Sequence, residues 1–599
     1  MKMLSNKMIF PQGIRILAVL LLCVSMVNAQ TIITVSVDPG PRPVGKDNPA
    51  LATCTGLVSA KFPLAPQCIN TVQPPDTHGN GGAGQVISFQ SNLTGLWFEG
   101  LAVFEVPAVV GPVAQTGGST FPGLGPSFNA ISCFQCHSQP AAGGSSPNKK
   151  TPGFPNGNPQ LGDAPTMAQL AALTTSPGNG IPPILDPTGN GPVREVRFPK
   201  GFAGNSGLNQ GAVTAGAVAN LFVIQGRTDA PAGCAIGQEP FQAQLLAGNA
   251  IFRIPIPTFG EGFVENTDDT TLSNNLKLEQ NLSGSFFTPP LGIKGGFNHS
   301  GNDQTISRFG WKAQNKSLLI FAGEASNVEM GVTNENFPNE RTHGNGQCSP
   351  NFEPEDQVVV PPLNNPPNAP LNDTRTVPDI FNAFGGLNGV GNSAVSSDIS
   401  SNIQNFAVFM RLNASPSQCN FNSGVDATTG FAKCEPLGSS PIRGGQIFGS
   451  LDSTVPGSLT STAIAPAGAP PTIGCVLCHS DALRTTTSMT PELNNVPFRA
   501  FSDFAIHVMD SSLSDGVTQG EAGPTQFRSA PLWGLGQRLF FMHDGRTSDV
   551  KTAIIDHAPT VGTATTCTAA MGEACEVIKR FNNLSASDQQ DLLRFLRSL

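Results

Sequence analysis

Two pentapeptides constrain this chain more than anything else in it. CFQCH runs from Cys133 to His137, and CVLCH runs from Cys475 to His479. Two thiols three residues apart on one helical turn can reach the two vinyl groups of a single porphyrin. The histidine that follows can then swing under the iron as proximal ligand. This is the c-type haem attachment pattern. Zinc binding or a dithiol redox site is the alternative for a CxxC, but neither needs the histidine, and the full pattern occurs twice. The expected cofactors are therefore two covalently bound haem c groups, on Cys133, Cys136 and His137 and on Cys475, Cys478 and His479.

The rest of the composition narrows the surroundings. At 599 residues the chain is long enough for two to four domains. Its net charge is -9, with charged residues at only 13%, so nucleic acid is not an expected partner. It has 38 Phe and no Tyr, which excludes a tyrosyl ligand, base or radical. Gly and Pro, 66 and 52 in number, imply long loops.

The first residues read as an export signal over 1–29. Lys2, Lys7 and Arg15 precede the apolar run ILAVLLLCVSMV, and VNA offers a small-residue cleavage site before Gln30. The run is short for a membrane span, so no stable transmembrane anchor is expected. The expected location is the bacterial periplasm, or else the outer surface or the medium. Removing Cys23 leaves twelve cysteines. Besides the four in the pentapeptides, three close pairs suggest local disulfides: 54–68, 419–434 and 567–575. Cys234 and Cys348 are left for each other, although sequence alone does not prove connectivity.

A loose repeat organises the chain. EGLAVF (Glu99–Phe104) precedes the first pentapeptide and RGGQIF (Arg443–Phe448) the second. Each half closes with an amphipathic helix. DISSNIQNFAVFMRL carries the stripe Ile399, Ile403, Phe406 and Met410. SASDQQDLLRFLRSL carries Leu592, Leu593 and Leu596, with Ser585 as cap. The expected fold is mainly α, with long loops and short β insertions such as LFVIQG and IFRIPI. It holds two cytochrome c-like haem domains, the first heavily elaborated. The expected limits are 30–91 for an irregular N-terminal segment, 92–413 for the first haem domain, 414–439 for a linker and 440–599 for the second.

Three candidate iron ligands stand in FFMHDGRTSDVKTAIIDH: Met542, His543 and His557. The end of this stretch reads as a helix capped by Ser548 or Asp549. Val550, Ile554 and His557 share one face by their four-plus-three spacing, so His557 points where the apolar stripe points. For the first haem no such partner stands out. No His lies between His137 and His299, and His299 and His343 sit in polar loops.

GLGPSFNAISCFQCH, RFGWKAQ, NVEMGVTNE and APLWGLGQRLFFMHDGR resemble the di-haem oxidoreductase family, whose members often carry the label thiol oxidoreductase. That family is related to the bacterial di-haem cytochrome c peroxidases and to the di-haem enzyme that matures methylamine dehydrogenase. The resemblance covers most of 97–599. It implies a peroxidase-like oxidoreductase whose first haem reacts while the second stores electrons. Peroxide or another small oxidant or reductant would be the substrate, and a redox protein or small electron carrier the partner. In the related peroxidases a Trp lies between the haems, and a Glu downstream sits over the open face of the first. Here Trp311 and Glu329, 18 residues apart, match them. A Gln between the two in the peroxidases corresponds to Phe321. The sixth ligand of the second haem lies fourteen residues after the HxG histidine, which from His543 is His557. Met542 is then the lesser candidate, and His543 bonds a propionate or the polypeptide. The resemblance also brings in calcium between the haems, for which no motif is recognisable. Two other functions stay open: an electron-transfer cytochrome with both irons six-coordinate, and a thiol oxidoreductase, for which no further CxxC supplies a dithiol.

Overall fold

The computed structural model describes residues 35–42, much of 97–147, 192–201, most of 215–223, 244–337 and 402–449, and nearly all of 472–599. The proposed bridges 54–68 and 234–348, the signal segment and His343 lie outside the described residues. Among the described residues, helices carry the architecture and the strands are two or three residues long.

A three-stranded antiparallel sheet forms around β1 (Glu195–Arg197), which pairs with β2 (Val218–Ala219) on one side and β3 (Ile251–Arg253) on the other. Two of its strands fall in or beside the runs read as β-prone. Helix α1 (Asp269–Ser285) follows, capped by the Asp268 side chain on the Thr271 amide. Helix α2 (Leu318–Met330) is capped by Ser317 and stopped by Gly331 at φ +68. Helix α3 (Asn402–Leu412) buries Ile403, Phe406 and Met410, as the stripe requires. Helix α4 (Ser439–Phe448) precedes the second pentapeptide. A hairpin pairs β4 (Ile506–Val508) with β5 (Gln526–Arg528). Helix α5 (Val550–Ile555) and the closing helix α6 (Ala586–Leu596) complete the described chain, with Asp549 and Ser585 as caps.

The loose repeat is physical. Near the first pentapeptide, helical Gly100 crosses α3 so tightly that a Cβ there would sit 2.6 Å from the Asn405 carbonyl. Phe104, one turn on, packs on Phe409 at 4.5 Å and reaches the His137 ring at 6.2 Å. Near the second, a Cβ on Gly444 would lie 2.0 Å from the Asp591 carbonyl of α6. Phe448 packs on Phe595 at 5.3 Å and reaches His479 at 6.4 Å. In both places a glycine lets two backbones touch, and a phenylalanine four residues later bridges the crossed helix and the histidine.

The two apolar cores trade residues across the chain. The core around Trp97, Phe104, Ile403 and Phe409 also takes Leu483, Phe498, Phe504 and Trp533. The core around Phe448, Leu477, Leu592 and Leu596 takes Leu282, Phe287, Leu291 and Ile293 from the end of α1 and the loop after it. Each large apolar side chain so buried contributes about 1.5–3 kcal/mol, and this exchange ties one half to the other.

A strap closes the structure from the N-terminal side. Val37 exchanges hydrogen bonds with the Gln590 side chain, at 2.8 and 2.9 Å. Asp38 accepts two from Arg597, at 2.8 and 2.7 Å, and one from the Val550 amide at 2.8 Å. The same carboxylate thus holds both the closing helix and the first residue of α5.

Candidate functional site

The first pentapeptide forms one tight turn, with the amides of Cys136 and His137 both bonded to the Cys133 carbonyl at 3.2 and 2.9 Å. The turn gathers both thiols. The His137 Nδ1 lies 3.0 Å from the Gly144 carbonyl, an acceptor that calls for the Nδ1–H tautomer and leaves Nε2 with its lone pair. Gly144 can approach because a side chain there would strike the Gln139 carbonyl, 2.0 Å from its Cβ position. Burial pushes the imidazole down to about 4, so it stays neutral.

The second pentapeptide repeats this. His479 bonds back to the Cys475 carbonyl at 3.0 Å, and its Nδ1 lies 2.9 Å from the Phe501 carbonyl. Burial and then His557 push it down to about 4. Helix α5 ends at Ile555, and its last turn tightens to aim His557 inward, with its Nδ1 2.8 Å from the Ala553 carbonyl. The His479 and His557 rings face each other, centres 6.3 Å apart and planes at 72°. Two imidazoles on one metal, each bonded at about 2 Å with the ring centre roughly 1.1 Å further on, would stand ~6 Å apart. The spacing fits a single six-coordinate iron.

The cysteine chemistry fits as well. Cys419–Cys434 and Cys567–Cys575 are disulfides, whereas Cys133, Cys136, Cys475 and Cys478 are free thiols. Burial raises all four, Cys133 and Cys475 to about 12. Thiols, two on each turn, and a neutral imidazole with one free nitrogen make the donor set that covalent haem attachment requires. Met542 sits in the left-handed region at φ +67, packed against the second core.

An aromatic group gathers around His543. Trp311 donates from its Nε1 to the Ile254 carbonyl at 2.8 Å, and its ring meets the edge of His543 at 6.4 Å. His543 stacks on Phe527 at 4.3 Å, and Lys312 lies 3.8 Å over the other partner of that stack, the Phe527 ring. The His543 carbonyl accepts from the Ile254 amide at 2.8 Å. Beneath it, Arg253 pairs with Asp515 and donates to Gln519 at 2.7 Å, and Lys312 pairs with Asp515 at 3.1 Å.

Glu329 lies in the last turn of α2, with its carbonyl taken by the amides of Asn129 and Ala130, just before the first pentapeptide. Its Oε2 accepts from Asn129 Nδ2 at 2.9 Å. Its charge bears on both Cys133 and Cys136. The structure therefore places Glu329 beside the first attachment site, and Phe321 on the same helix stacks near Phe309 at 6.4 Å.

Two residues here, Glu195 and His507, escape a reading of the sequence. Glu195 on β1 is hydrogen-bonded side chain to side chain with Glu329 and receives Arg197 Nε at 2.6 Å. Burial alone would raise the Glu195 carboxyl; Arg197 and Arg253, with the bond from Glu329, hold it below the usual range. His507 lies between Asp503 at 2.9 Å and Glu573 at 3.0 Å, with Cys478 Sγ at 3.7 Å. His299, expected in an exposed polar loop, is half-buried and lies 2.7 Å from Glu521. Among the described residues no group of three or more His, Cys, Asp or Glu could hold a bare metal ion, and no helix is long and apolar enough to cross a membrane.

Residues 454–599 match the family described as "Di-haem oxidoreductase, putative peroxidase". The match spans the second pentapeptide and His557. No curated protein matches the chain. Among solved structures, hydrazine synthase of Kuenenia stuttgartiensis, pressurised with 20 bar xenon, is 14% identical over 34% of this chain, with a TM-score of 0.17. The chain spans 58% of that one. A likeness at that level carries no argument about fold or activity.

Proposed function

We propose that this chain, whose residues 454–599 carry the di-haem oxidoreductase family pattern, is an exported di-haem c-type cytochrome that acts as a peroxidase-like oxidoreductase. It is built as two cytochrome c-like units. Cys133, Cys136 and His137 hold the reactive haem. Cys475, Cys478, His479 and His557 hold the haem that stores and delivers electrons to it, with a redox protein or small carrier as donor.

The observation that carries this reading is an asymmetry. Opposite His479 stands a second imidazole, whereas among the described residues carboxyl groups, Glu329 among them, act on the cysteines of the first attachment turn. When bound, the haems would supply the redox chemistry for reduction of peroxide. Glu329 moves a proton from the oxygen that is retained to the oxygen that departs, so the latter leaves as water. Trp311, an electron-rich ring beside the His543–Phe527 stack, carries charge between the halves; with no Tyr in the chain, few other side chains can do so.

The test is the purified holoprotein. It should contain two c-type haems by pyridine haemochrome assay, one of them high-spin. Glu329→Gln should slow the reaction with peroxide by roughly 10²-fold at unchanged haem content. Two low-spin haems and no peroxide reaction would instead mark an electron-transfer cytochrome.

A further inference from the structure

We propose that Arg528, Arg538 and Trp533 form a buried anion pocket whose occupant is a propionate of the first haem. This rests on the reading of the chain as a di-haem cytochrome, and adds to it the side chains that hold the polar edge of one porphyrin.

The inference starts from donors without an acceptor. Arg528 ends β5 and is buried, opposite Ile506 in the strand register. Its Nη1 donates to the Arg308 carbonyl at 2.7 Å. Its Nε and Nη2 are buried and have no hydrogen-bond partner among the described residues. These two atoms share one edge of the guanidinium, the edge that grips a carboxylate with two parallel bonds. Arg597 holds Asp38 with the same two atoms, at 2.8 and 2.7 Å. Trp533, further along the segment, is buried with its Nε1 equally unpartnered. Arg538 is buried too, and burial, with the Arg528 charge nearby, pushes it down to about 10.

Water would satisfy these donors but not the charge. Buried charges are paired, and here two guanidiniums act on each other. The carboxyl that acts on Arg528 is that of Glu261. It does not close the fork, since the fork atoms are unpartnered and so is its own Oε2. Burial, against the pull of Arg528, pushes Glu261 up to about 8, so at neutral pH it is mostly protonated. The acids nearby are engaged elsewhere: Glu265 holds Arg411 and the Leu318 amide, and Asp269 holds Arg308. What the pocket calls for is an acceptor with a negative charge, which is a carboxylate.

The pocket belongs to the first attachment site. Trp533 lies in the apolar core of Phe104 and Phe409, against which Cys133 packs. Gly260 lets the Trp533 ring approach, since a Cβ there would sit 2.7 Å from its Cη2. Just before Gly260, Thr258 bonds the Gly143 carbonyl through its amide at 2.7 Å and its hydroxyl at 3.1 Å. The Gly143 amide in turn bonds the His137 carbonyl at 2.9 Å. From the other end, Gln139 donates to the Gln537 carbonyl at 3.2 Å, next to Arg538. A haem on Cys133, Cys136 and His137 brings two carboxylates on its polar edge. Held there, the porphyrin cannot turn about the His137 axis, and the cations favour its reduced iron. The three side chains bind the cofactor and touch no reacting atom.

The experiment is resonance Raman spectroscopy of the purified di-haem protein, read at the propionate bending bands, with a redox titration of each haem as second readout. Arg528→Gln should shift a propionate band of the first haem. It should also lower the ratio of reduced to oxidised first haem at a fixed ambient potential, by about tenfold or more. Arg528→Lys keeps the charge and loses the fork, so it should restore most of the ratio but not the band. Trp533→Phe should shift the band and leave the ratio near that of the parent. Arg538→Gln should lower the ratio as well, and with Trp533→Phe it keeps the test open if Arg528→Gln fails to fold. Glu261→Gln should leave the band in place. Propionate bands unmoved by every Arg and Trp variant would overturn the proposal, and a parent spectrum that responds to added acetate or chloride would then give the pocket to an exchangeable small anion. Bands of the second haem moving instead would overturn it too. A preparation without haem by pyridine haemochrome assay would remove the di-haem reading itself.

Discussion

His479 and His557 approach each other from separate segments until their ring centres are 6.3 Å apart, each held at Nδ1 by a backbone carbonyl. In the holoprotein His557→Ala should therefore convert the second haem to high spin. Met542→Leu should leave its ligation intact and change only packing. Imidazole donates more strongly than thioether to ferric iron, so the parent should also lack the near-infrared band of a His/Met haem. Electron paramagnetic resonance of the two variants decides. The opposite pattern would make Met542 the ligand.

Gly444 is where α4 and α6 touch. Its Cβ position lies 2.0 Å from a backbone oxygen and 2.7 Å from Phe595 Cβ, so neither neighbour can simply rotate away. Gly444→Ala should push the helices apart and cost about 3 kcal/mol, despite alanine's better helix propensity. Chemical denaturation would show it. A stabilised Gly444→Ala protein would mean that the crossing is looser than the structure has it.

The neutral imidazole of His543 is stacked on Phe527, and burial pushes it down to about 4. The unfolded chain would bind that proton at the ordinary value near 6.5. Between the two values the unfolded state holds more protons, so stability must fall as pH drops from about 6.5 towards 4, by as much as about 3 kcal/mol in all. His543→Phe keeps the stack and removes the titration. Its unfolding free energy should depend less steeply on pH across that window. Parallel profiles for parent and variant would remove His543 as the cause.

The Asp38–Arg597 pair is buried, with side-chain exposures of 4% and 1%. Asp38→Ala leaves a guanidinium without its counter-charge and should cost about 3 kcal/mol. Adding Arg597→Leu should restore part of the loss. A double variant no more stable than the single one would show that the pair's charges are not what matters there.

What the sequence makes legible is what repeats at short range. The pentapeptides are local, the caps Asp549 and Ser585 are local, and the stripes Phe406, Met410, Leu592 and Leu596 follow helical periodicity. The inward aim of His557 follows from the same rule, extended one turn past the helix. Glu195 is different. It lies on a strand of three residues, too short for any period to register, and its partner is on a helix more than a hundred residues away. The strap is hidden for a related reason. Residues 35–42 carry no periodicity of their own, and the Val37 backbone is held by the Gln590 side chain of α6. The stacking of Phe527 on His543 likewise follows from where a hairpin lands, which no local pattern encodes.

Asp38 and Arg597 are separated by 559 positions in the chain. Their clasp also holds Val550 at the head of the helix that presents His557. The turn from Cys475 to His479 is local, whereas the segment that carries His557 is fastened through contacts between parts of the chain far apart in sequence. A fragment cut to 454–599 would keep every candidate ligand of that iron and still lack the part that locks the last one in place.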